Sequence, residues 1–76
     1  MTKIPHLAGA EVVKALQRAG FGLIRTTGSH HIMRGNGKTF PVPVHGRREL
    51  GPGLLRAICR QAGITVEELM AKASPH

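Results

Sequence analysis

Apolar and polar positions change period three times along the chain. In residues 10–19, Val12, Val13 and Leu16 recur at helical spacing, with Lys14, Gln17 and Arg18 opposite them. Glu11 in the first turn and Arg18 in the last suit a helix dipole, and Gly20 supplies a stop. Ala8 or Gly9 stands where a Ser, Thr or Asp cap is preferred, so the start is weak. From Phe21 the period shortens. Residues 21–27 and 30–34 read as strands joined by a Gly28-Ser29 turn. Gly35-Asn36-Gly37 is a hairpin signal, since Asn-Gly supplies the positive φ angles of a tight turn. Residues 38–44 read as a third strand with Phe40, Val42 and Val44 on one face.

Pro41 and Pro43 lie two apart, so their missing N–H groups fall on one side of that strand. The strand is therefore expected at a sheet edge, its bare side toward solvent. A loop holding Gly46, Arg47 and Arg48 leads to a helix over residues 53–62, with Leu54, Leu55, Ile58 and Ala62 inward and Gly63 at its end. Thr65 and Glu68 have capping-box spacing and open a short last helix. The predicted class is α+β: one domain over residues 1–76, helix, three antiparallel strands, helix and short helix. Residues 1–6 and 73–76 are expected to fray. The helices are expected on one face of the sheet to close a core, leaving the other face open.

Charge sharpens this picture. The 76 residues carry 11 Lys+Arg against four glutamates and no aspartate, a formal charge of +7. A surface that basic points to a polyanion such as RNA, whose phosphates release counterions when neutralised. The chain is too short for a deep cleft between two lobes. The single cysteine, Cys59, excludes an internal disulfide and a cysteine-based zinc site, and core filling is its expected role. No run has the roughly 20 apolar residues of a membrane span. The N-terminal ten residues, broken by Pro5, His6 and Gly9, lack a signal-peptide core, so the cytoplasm is the expected compartment.

The candidate chemistry lies in Thr26-Thr27-Gly28-Ser29-His30-His31. Alternation sends His30 and His31 to opposite faces, and the flanking Ile32 and Met33, both apolar, leave open which goes where. Histidine suits proton transfer at neutral pH. RNA carries its own 2′-hydroxyl nucleophile, so cleavage needs a base, an acid and cations on the charged phosphorane. One histidine supplies either proton step, while Arg25, Arg34 and Lys38 are candidates for holding phosphate. Ser29, Arg47 and Arg48 are further phosphate candidates, and Gly28 serves the turn. His31 stands between RNA contact and a buried role, and His45, a loop residue, either caps the loop or touches RNA, the structural role being favoured. The opposed histidines and the lack of nearby acids argue against a metal.

Several segments in order carry a resemblance: residues 9–21, Arg25-Thr26-Thr27-Gly28-Ser29-His30-His31, Val42-Pro43-Val44-His45, residues 49–58, and Gln61-Ala62-Gly63-Ile64. Together they resemble the HicA toxin family, small mRNA interferases of toxin–antitoxin systems. The resemblance implies a fold like a double-stranded-RNA-binding domain, which has the same α-β-β-β-α order. It implies ribosome-independent cleavage of mRNA and inhibition by a HicB-type antitoxin; the histidine chemistry above calls for no cofactor. It places the essential histidine directly after Gly-Ser, at His30. Two other readings fit the same residues: a non-catalytic double-stranded-RNA-binding module, and a toxin reduced to an antitoxin-binding remnant.

Overall fold

The structure, a computed structural model, describes residues 7–73. Of the ends expected to fray, residues 1–6 and 74–76 lie outside the described residues, and Ala73 is the last residue of a helix. In chain order the elements are β1 (Leu7–Ala8), α1 (Gly9–Arg18), β2 (Gly22–Thr27), β3 (His30–Gly35), β4 (Lys38–Pro43), β5 (Glu49–Leu50), α2 (Pro52–Ala62) and α3 (Val66–Ala73). The helix, three antiparallel strands and helix stand in the predicted order, with the strands arranged β2-β3-β4. The short pair β1–β5 is an addition. Two-residue strands have no readable period, and this pair is held by register, Leu7 opposite Leu50, with both side chains buried.

Each helix is set by local chemistry. The weak start of α1 is repaired by Glu11, whose Oε1 accepts the Ala8 N–H at 2.9 Å. Its end is closed twice over: the Gly20 N–H donates to the Gln17 carbonyl and the Phe21 N–H to the Leu16 carbonyl. The end of α2 repeats this pattern with Gly63 and Ile64 donating to Arg60 and Cys59. At α3 the Glu68 N–H donates to Thr65 Oγ1 at 3.0 Å and the Thr65 N–H to Glu68 Oε1 at 3.3 Å, the predicted capping box. Arg18 Nη1 then donates to the Lys72 carbonyl, satisfying one of the carbonyls that the end of α3 leaves open.

The core lies between the helices and one face of the sheet. It joins Val12, Val13, Ala15 and Leu16 of α1 to Met33, Phe40 and Val42 of the sheet, and to α2 and Leu69 of α3. Phe21 meets Phe40 edge-on at 5.7 Å between ring centres. One expectation is corrected in α2. The buried stripe is Leu55, Ile58, Cys59 and Ala62, spaced as one helical face, and Leu54 falls just off it and remains 41% exposed. Cys59 does fill the core, and burial, with Glu67 and Glu68 nearby, pushes its thiol pKa up.

Two features position the open face. Just past β4 the Val44 N–H donates to the Ser29 carbonyl at 2.6 Å, which fixes the phase of the ladder. The N–H groups of Phe40, Val42 and Val44 thus face β3, and the donorless Pro41 and Pro43 face outward. β4 is an edge strand, as its prolines required. In β2 the register jumps between Leu23, opposite Met33, and Arg25, opposite Ile32, so Ile24 is the extra residue of a bulge. The bulge moves Leu23 to the side of Met33 while Arg25 and Thr27 stay on the side of His30.

Candidate functional site

The β2–β3 turn is built from Gly28 and Ser29. Gly28 has φ +57° at the first central position of a two-residue loop, a conformation that favours glycine and matches the twist of the strands it joins. Beyond it β3 alternates. His30, Ile32 and Arg34 lie on the open side, His30 and Arg34 exposed. His31, Met33 and Gly35 lie on the helix side, with Met33 fully buried. The choice that the flanking residues left open is made by packing: Met33 goes into the core and takes the parity of His31 with it.

Cross-strand pairing gathers the open face. Thr27 and Pro43 flank His30, Arg25 and Pro41 flank Ile32, and Thr39 lies beside Arg34. Two arginines and a histidine thus stand on a floor of Ile32, Pro41 and Pro43. None of the four glutamates lies on these strands: Glu11 is in α1, Glu49 in β5, Glu67 and Glu68 in α3. The charged side chains these strands contribute to the face are therefore cationic, which suits phosphate, and Glu49 stands at its border in β5. Arg47 and Arg48 are exposed in the loop after β4, at the same end as Ser29, because the Val44–Ser29 hydrogen bond holds that loop beside the turn.

Two expected contributors are placed elsewhere. Lys38 pairs with Gly35 at the far end of the sheet, on the helix side. Its Nζ would stand 3.0 Å from a Cβ placed on Gly63, so it covers the C-terminus of α2, where a cation complements the helix dipole. His31 is half-buried on the helix side, and its Nδ1 is buried with no hydrogen-bond partner among the described residues. It does not share a face with His30. Among the described residues no three His, Cys, Asp or Glu side chains gather as a metal would require, and no helix is long and apolar enough to cross a membrane.

A shallow pocket of about 270 Å³ adjoins this face. Pro43, the cross-strand partner of His30, forms one wall, and His45, Arg48, Glu49 and Leu54 contribute to the rest. No spacing in the sequence signals it, because its walls come from a strand end, a loop and a helix.

No curated protein and no solved structure matches the chain. A family model described as the HicA toxin of bacterial toxin-antitoxin systems matches residues 9–64, a span running from the start of α1 through α2 and across both hairpins. By that match over most of its length, the chain belongs to the HicA toxin family.

Proposed function

We propose that this toxin acts as an endoribonuclease on mRNA, without a metal, and that His30 is a general acid or base of the cleavage. The observation that carries the reading is the placement of His30. It is exposed on an open sheet face that also holds Arg25 and Arg34 and no glutamate, in a chain of a toxin family. In this reading the RNA supplies its 2′-hydroxyl as nucleophile. His30 moves one proton at the reacting phosphate, and Arg25, Arg34, Arg47 and Arg48 stabilise the charge that builds on it. Gly28 and Ser29 hold the turn that presents His30. RNA cleavage at such a surface needs no deep cleft, which agrees with a domain this small.

A HicB-type antitoxin is proposed as the protein partner, acting in the same compartment, which we take to be the cytoplasm. An acidic partner surface laid on the cationic face would be captured quickly and would cover His30.

The test is His30→Ala with purified protein and a transcript. Cleavage is expected to fall by about 10²–10⁴-fold while RNA affinity changes little. Undiminished cleavage by the variant would sink the assignment. A wild-type protein that binds RNA without cutting it would favour a non-catalytic binding module instead.

A further inference from the structure

Cleavage through the 2′-hydroxyl needs two proton transfers, and the open face of the sheet presents one histidine. The chain continues past β4 in a defined way. The Val44 N–H to Ser29 carbonyl bond extends the ladder one residue beyond Pro43. His30 is opposite Pro43, and a strand continued two residues at that parity puts His45 diagonal to His30 on the same side. Diagonal neighbours across an antiparallel pair lie about 7–8 Å apart, a span that one phosphate group bridges. After His45 the chain turns back. The Arg48 N–H donates to the His45 carbonyl at 2.9 Å and Gly46 takes φ +56°, so Arg48 returns beside His45. Both residues line the 270 Å³ pocket with Pro43, Leu54 and Glu49, the one carboxylate in its wall.

We infer that His45 is the second proton-transfer group and that the pocket seats a ribonucleotide adjoining the scissile phosphate. The inference rests on the reading of His30 given above. Pro43 and the exposed Leu54 offer an apolar wall to a base or sugar, and Arg48 offers a cation to its phosphate. The chemistry closes with two imidazoles. One takes the proton of the 2′-hydroxyl as the O2′–P bond forms. The other gives a proton to the 5′-oxygen as the P–O5′ bond breaks. The products are a 2′,3′-cyclic phosphate and a 5′-hydroxyl, with no oxidant or co-reactant required.

The decisive substrate is a short RNA spanning a cut mapped with the wild-type protein, made in two forms. One has the natural 5′-oxygen at the cut and the other a bridging 5′-sulfur, whose departure needs no acid. His30→Ala and His45→Ala are each expected to lose at least about 100-fold in kcat on the oxygen form, and one of the two is expected to recover on the sulfur form. His45→Ala should keep the wild-type melting temperature, since His45 is exposed, and its pH–rate profile should lose one limb. His45→Gln, which keeps a hydrogen-bonding side chain but transfers no proton, should be as slow as His45→Ala.

Three results overturn the inference: His45→Ala within about threefold of wild type, recovery of activity in His45→Gln, or failure of the sulfur form to rescue either variant. If His30→Ala is inactive and His45→Ala is active, only this inference falls. If His30→Ala keeps full activity, the reading of His30 falls and takes the pairing with it.

Discussion

The two faces of the β2-β3-β4 sheet differ in everything but their backbone. The helix side presents Met33, Phe40 and Val42, each 2% exposed or less. The open side presents Arg25, His30 and Arg34 over Ile32 and the two prolines. Consecutive residues of β3 serve the two sides in turn, so core and exposed polar positions are interleaved at single-residue spacing. Parity along one strand decides which property a substitution disturbs. In a chain of 76 residues this lets a small core and a cationic, histidine-bearing surface share three strands.

That separation is open to direct challenge. The largest effect is expected from the pair His30→Ala and Met33→Ala. The first should remove cleavage and leave the denaturation midpoint close to wild type. The second should cost about 2–5 kcal/mol in urea denaturation, because it opens a cavity among fully buried neighbours. A His30→Ala protein that melts well below wild type would break the division between faces. Next come the proposed phosphate contacts. Arg25→Ala and Arg34→Ala should each lower the dependence of log affinity on log salt by about 0.7 for single-stranded RNA. Lys38→Ala, on the other side and at the far end, should leave that slope unchanged. The smallest effect is a pH dependence from the covered side. Burial raises the Cys59 pKa, so the unfolded chain releases its proton at lower pH than the folded one does. That contribution to stability is complete below the unfolded pKa, about 9, and is lost as pH rises through the folded value. Denaturation midpoints should fall at alkaline pH, and Cys59→Ala should flatten this limb.

Much of this arrangement is legible in the sequence because it rests on local rules. The Gly28-Ser29 and Asn36-Gly37 turns are found where their chemistry requires them, with φ +52° at Asn36 and +72° at Gly37. The prolines locate the edge strand, and Thr65 with Glu68 locates α3. The family resemblance is matched over residues 9–64. What the sequence hides depends on distant partners. The β1–β5 pair is too short to have a period. Leu54 is apolar but sits beside the stripe that faces the core. The bulge at Ile24 depends on how β2 meets β3. Lys38 looks like any other strand cation until its reach across to Gly63 is seen. His45 reads as a loop residue, because its place beside the pocket at Pro43 depends on how the chain leaves β4.

Gly9 gives this geometry a genetic reading. The first residue of α1 packs so closely on β4 that any Cβ there would collide with the Pro43 carbonyl and the Val44 backbone. A side chain at position 9 therefore acts on the strand segment between His30 and His45 without touching either. Where cells are selected for surviving expression of this toxin, a survivor altered at Gly9 would look like an unrelated folding mutant. Its lesion would instead press on the backbone of Pro43, the cross-strand partner of His30.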